Sequence, residues 1–175
     1  MQKLNLKEIL KTAVPLLLIC VCFTGAVAGV NAITAEPIAA GEKLAADLAR
    51  QEIFPGAEFE EREGYAAAYA GGALAGFLFD TEGQGYGGPI RVMTAVDSDG
   101  SVNRIVVVSC DSETPGLGTK VANESFLGQF VGRNTTDDFD SVASATFSSR
   151  GVAEAVNKAL EIFNEQVRGA WQNEP

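Results

Sequence analysis

The sequence predicts an α+β fold, an antiparallel twisted sheet flanked by helices, preceded by one N-terminal transmembrane helix. Three observations predict it. Residues 12–35 carry no charged side chain, a stretch longer than the ~20 apolar residues a helix needs to cross a bilayer. Between residues 65 and 109, runs of strand length alternate with turn signals, Gly71-Gly72 and Asp97-Ser98-Asp99-Gly100, so neighbouring strands are joined as hairpins and not by crossover helices. The chain closes on Val152, Val156, Leu160, Phe163 and Val167, spaced as one face of a helix.

The N-terminal run has its apolar centre at 14–30, with Leu16-Leu17-Leu18-Ile19 near the start. Lys3, Lys7 and Lys11 precede it against a single Glu8, and Glu36 is the first charge after it. By the positive-inside rule, residues 1–11 stay in the cytoplasm, 12–33 cross the membrane and 34–175 form an extracytoplasmic domain. The protein is then single-pass in the cell inner or plasma membrane. A cleaved signal peptide is the alternative, since Ala26-Val27-Ala28 is a small-x-small site. The run exceeds the about 7–15 residues of a signal h-region, which favours an uncleaved anchor. Cys20 and Cys22 read as small hydrophobes of this helix.

Beyond the anchor, 39–53 reads as a helix on Leu44, Ala45, Leu48 and Ile53, ended by Phe54-Pro55-Gly56. Strands are expected at 65–70 and 73–79, joined by Gly71-Gly72. A glycine-rich loop, 83–88, leads to Pro89. Strands at 90–96 and 102–109 flank the Asp-x-Asp-Gly turn, which lacks the remaining ligands of a calcium loop. A short helix is expected at 121–131, with Phe126 and Phe130 four apart on one face. A polar connection, 132–139, then leads to a final helix over 149–170.

Composition excludes several chemistries. The net charge is −10. Three Lys and one Glu give residues 1–33 a charge of +2, leaving −12 on residues 34–175. Such an acidic domain is no nucleic-acid binder and stands off an anionic lipid surface. The chain has no histidine, and Cys110 is the single cysteine beyond the anchor. Iron–sulfur clusters, c-type haem, Cys/His zinc sites and Ser-His-Asp or Cys-His catalysis are therefore out of reach. Redox chemistry here would need an organic cofactor. No metal site and no catalytic residue is expected.

Three stretches stand out. Gly83-Gln84-Gly85-Tyr86-Gly87-Gly88 matches G-x-G-x-x-G, but Pro89 and a strand follow it where a dinucleotide fingerprint requires a helix. What remains is a loop whose backbone can approach something flat or bulky. In Glu113-Thr114-Pro115-Gly116-Leu117-Gly118, Pro-Gly favours a tight turn that can aim N–H groups into one concavity. Either stretch read alone also suits a plain connecting loop. Small, hydroxyl-rich Asp140 to Ser149 opens directly into the final helix, where N–H and hydroxyl donors can meet a phosphate.

Taken in order, these features resemble the RnfG family of covalent FMN-binding-domain proteins, along essentially the whole chain. The resemblance rests on the anchor, Ile-Phe-Pro-Gly-Ala (53–57), Gly-Tyr-Gly-Gly-Pro-Ile (85–90), Glu-Thr-Pro-Gly-Leu-Gly (113–118) and the Asp140…Ser144-Ala145-Thr146 motif. It implies FMN joined to Thr146 through a phosphoester. The residues implied around the cofactor are Ser144, Ala145, Ser148 and Ser149; Gly85, Tyr86, Gly87 and Gly88; and Glu113, Thr114, Gly116, Leu117, Gly118 and Lys120. It also implies maturation by a flavin transferase and partnership with other membrane subunits of an Rnf-type complex. Such a complex couples ferredoxin:NAD oxidoreduction to Na⁺ or H⁺ translocation, and this subunit is not catalytically complete alone. An NqrC-like quinone-reductase subunit, a standalone surface flavoprotein and an anchored non-redox binding domain are the alternatives. The chain departs from the family pattern at Ser144, where the family has Gly and where Ser disfavours a positive φ.

Overall fold

The computed structural model describes residues 6–171. The chain divides into two units, Met1–Gly41 and Glu42–Pro175, and helix α1 (Leu6–Ile53) runs through both. In the first unit, α1 exposes Leu16, Leu17, Leu18, Ile19, Val21, Phe23, Val27 and Val30. Its mean hydropathy reaches 2.4, and it is long and apolar enough to cross a membrane. Lys7 and Lys11 lie on α1, whereas Lys3, the third lysine of the orientation argument, lies outside the described residues.

The second unit is built on a five-stranded antiparallel meander, β1 (Glu58–Arg62), β2 (Tyr65–Ala70), β3 (Ala73–Gln84), β4 (Pro89–Val96) and β5 (Val102–Ser109), in sheet order β1-β2-β3-β4-β5. Helix α3 (Thr146–Ile162) covers one face and the end of α1 the other. Strand alternation divides the side chains between the two layers. Phe77, Phe79, Ile90, Val92 and Val96 meet Val152, Val156, Ala159 and Leu160 of α3. Leu78, Met93 and Ala95 meet Ala46, Ala49 and Ile53 of α1. A sheet covered on both faces explains why β3 and β4 read as near-continuous apolar runs.

Strands β2 and β5 fall where the sequence places them, and β4 gains only Pro89. Strand β1 is absent from the sequence reading. Its Glu-Phe-Glu-Glu-Arg has no apolar alternation, and it forms an edge held by backbone pairing to β2, from Glu58↔Tyr69 to Arg62↔Tyr65. The expected strand 73–79 continues to Gln84, so Gly83 and Gln84 belong to the sheet. Gly83 crosses Gly151 of α3 there. A Cβ on Gly83 would stand 1.8 Å from the Gly151 carbonyl oxygen, so the missing side chains set the depth at which helix meets strand.

The helix expected at 121–131 is instead a 3₁₀ turn, Gly118–Ala122, followed by the single-turn α2 (Glu124–Leu127). The apolar spacing was real: Phe126 and Phe130 are both buried, edge to face at 5.6 Å. The final helix begins at Thr146, three residues before the expected 149, and passes through a π turn, Phe163–Val167, into α4 (Arg168–Trp171). The early start has a local cause. Ser149 donates its N–H and its hydroxyl to the Ala145 carbonyl and accepts the Val142 N–H, closing the first turn around itself.

The two edges of the sheet differ in chemistry. Strand β1 carries Glu58, Glu60, Glu61 and Arg62, whereas β5 ends in Val106-Val107-Val108-Ser109, with no strand beyond it among the described residues.

Candidate functional site

The start of α3, the loop after β5 and the loop after β3 converge on one cavity of about 240 Å³. Thr146 is the first residue of α3 and is exposed. Ala145 precedes it as N-cap, and no side chain caps the helix. The N-terminal end of α3 thus offers free N–H groups and the positive end of its dipole beside the Thr146 hydroxyl. Ser144, just before, holds φ at +64, the single positive φ outside glycine among the described residues.

The loop after β5 is a tight turn. The Leu117 N–H bonds to the Thr114 carbonyl at 3.1 Å, and Gly116 takes φ +75, which proline at 115 and glycine at 116 are suited to. The Gly116 N–H donates to Thr119 Oγ1 at 2.9 Å. This turn aims Glu113 inward. Glu113 is 3 % exposed, and its carboxylate accepts the Gly87 N–H at 3.0 Å and the Ser148 hydroxyl. Burial first, then Asp111 and Glu113, push the nearby Cys110 thiol up.

Lys158 and Glu154 dock α3 against the end of β3. Lys158 Nζ bonds to the Glu82 carbonyl at 2.8 Å, and Glu154 accepts the Gln84 N–H at 3.2 Å. The hydrogen bond from Lys158 and then that from Gln84 hold the Glu154 carboxyl below the usual range.

Nine of the sequence-derived candidates line the cavity: Tyr86, Glu113, Thr114, Leu117, Gly118, Ser144, Ala145, Thr146 and Ser148. Six do not. Lys120 and Gly116 are exposed outside it, and a Cβ on Gly116 would meet nothing within 4 Å. Ser149 is fully buried, its hydroxyl used within the turn. Gly85, Gly87 and Gly88 are packed against the neighbouring loop. A Cβ on Gly87 would lie 1.8 Å from the Ser112 carbonyl oxygen, and one on Gly85 2.2 Å from Glu113 Oε1. These glycines let one loop lie on the other, and Tyr86 is the member of the stretch that faces the cavity.

Sequence reasoning missed Phe147. It is 63 % exposed, and its ring stands 6.2 Å from that of Tyr86, itself 74 % exposed. The signal available was its phase, for the buried stripe of α3 projects back to positions 148 and 149 and leaves the aromatic at 147 outside. Leu117 adds a third exposed apolar side chain. The lining contains no Lys or Arg. The site is a shallow shelf, with an aromatic pair beside an exposed hydroxyl at a helix start and a buried carboxylate beneath.

Comparison with known proteins bears on this shelf. Residues 85–161 match the FMN-binding domain family, and residues 1–53 match the RnfG N-terminal region. The chain is similar to the G subunit of the ion-translocating oxidoreductase complex of Cereibacter sphaeroides, at 36% identity over 57% of this chain and 52% of that one. The matched segment thus spans about half of that relative's length. It is also similar to the G subunit of the Na⁺-translocating ferredoxin:NAD⁺ oxidoreductase complex of Acetobacterium woodii, at 26% identity over 92% of this chain and 94% of the other. Among solved structures, NqrC of Shewanella oneidensis superposes with a TM-score of 0.48, at 24% identity over 55% of this chain and 54% of that chain.

Proposed function

The chain belongs to the RnfG family of FMN-binding-domain proteins, and from that membership we propose that it holds FMN covalently on Thr146 and passes electrons within a membrane complex. The cofactor is FMN. The observation that carries the attachment is the shelf itself. Its volume of about 240 Å³ falls below the roughly 300–1,000 Å³ of pockets that enclose a ligand. No cation lines it to hold a phosphate, while an exposed hydroxyl stands at an uncapped helix start. A cofactor retained there needs a bond.

The residues present fit FMN. Thr146 supplies the ester oxygen, and the helix start stabilises the phosphate by about 0.3–1 kcal/mol for an exposed site. Tyr86, Phe147 and Leu117 offer apolar surface to a flat ring. FMN, once bound, supplies one- and two-electron redox chemistry. The protein's part is to hold it where a neighbouring redox centre can approach, which an open shelf allows and a closed pocket would not.

On this reading residues 1–11 lie in the cytoplasm, 12–33 cross the membrane and 34–175 lie outside. A flavin transferase installs the cofactor. The partners are other subunits of an Rnf-type complex that couples ferredoxin:NAD oxidoreduction to movement of Na⁺ or H⁺, and this protein is a relay within it. The names of the relatives and the match of residues 1–53 support this reading.

Co-expression with a flavin transferase tests the attachment. The wild type should gain the mass of FMN less one water on the peptide containing Thr146, and Thr146→Ala should lose it. Wild-type protein that stays unmodified, or flavin retained covalently in Thr146→Ala, refutes the assignment.

A further inference from the structure

Glu113 is the one charged side chain buried among the described residues. It forms no ion pair, and no Lys or Arg lines the cavity it faces. Both oxygens are engaged, one accepting the Gly87 N–H and the other paired with the Ser148 hydroxyl. Glycines crowd it on two sides. A Cβ on Gly85 would come within 2.2 Å of Oε1 and one on Gly118 within 2.4 Å of Oε2. Burying a charge with only neutral donors is costly. A strut between two loops could be made without one, since an amide of the same shape can bridge the same two groups.

We propose that Glu113 sets the reduction potential of the flavin, its buried carboxylate opposing the electrons added to the ring and so holding the potential down. This rests on the placement of FMN at Thr146. The carboxylate and Thr146 line the same cavity, and a charge shielded from water acts through a lower effective dielectric than the exposed acids do. Salt screens those exposed acids and leaves a buried charge largely unscreened.

The test uses the full chain in detergent, flavinylated by co-expression with a transferase and checked by mass. Its midpoint potential is read by dye-equilibrated titration. Glu113→Gln keeps the shape and the bond to the Gly87 N–H, with the Ser148 hydroxyl turning to accept, and removes the charge. Glu113→Asp keeps the charge and spoils the fit. Glu113→Gln should shift the potential to a more positive value, at low and high salt alike, and Glu113→Asp should stay near the wild type. A potential unmoved by Glu113→Gln, or moved as far by Glu113→Asp, overturns the proposal and leaves Glu113 a strut. Wild-type protein with no flavin on Thr146 sinks the attachment and this proposal together, whereas flavin present with an unmoved potential sinks this one alone. Should Glu113→Gln not fold, reduced-minus-oxidised infrared spectra of the wild type and Glu113→Asp decide. A carboxyl band that responds to reduction and changes frequency with Glu113→Asp supports the proposal, and spectra without one overturn it.

Discussion

Ser144 stands two residues before Thr146 in the left-handed region, where a side chain costs about 1–2 kcal/mol and glycine is free of that cost. Replacement by glycine relieves the strain and also loosens the unfolded chain. Ser144→Gly should therefore stabilise the protein by a net of about 0.5–1 kcal/mol, read as a higher urea midpoint at unchanged slope. The glycine loops give a second, contrasting prediction. Gly87→Val drives a side chain into the Ser112 carbonyl and should abolish the cooperative unfolding transition. Gly116→Val meets open space and should leave a folded protein destabilised by about 1–2 kcal/mol, from its positive φ. Equal unfolding midpoints for these two variants would contradict the loop-on-loop packing.

At the level of elements, legibility followed the clarity of the local signal. The strands beside tight turns, β2 and β5, were readable to the residue, because Gly71-Gly72 and Asp99-Gly100 mark where the chain reverses. Strand β1 was not, because an edge strand held by backbone bonds needs no apolar pattern. The extension of β3 through Gly83 was hidden for a different reason. Its glycine serves a crossing with Gly151, a contact between residues 68 positions apart that no local window contains. The same holds at the site. Thr146 was proposed from the motif, but the Glu113–Ser148 bond that ties two of the motifs together spans 35 residues. Phe147 lay in plain view and was passed over because its neighbours supplied the pattern.

For the whole molecule, orientation is the decisive matter, since the proposed function puts the domain on the side of the membrane away from the cytoplasm. Protease added to intact spheroplasts should digest the domain and spare the apolar part of α1. A domain cut only after the membrane is broken open would reverse the assigned topology and remove the reason for a tethered flavin.

The unlike edges of the sheet bear on how copies of the protein treat one another when crowded in a membrane plane or a detergent micelle. The acids and arginine of β1 discourage another strand from joining there, whereas Val106-Val107-Val108-Ser109 puts up no such guard and leaves a template for sheet growth. Purified protein should scatter more light as its concentration rises. Val108→Lys, which adds a second charge to the strand that already carries Arg104, should suppress that growth. If that growth is seen, the exposed edge of β5 is where the solubility of this protein is set.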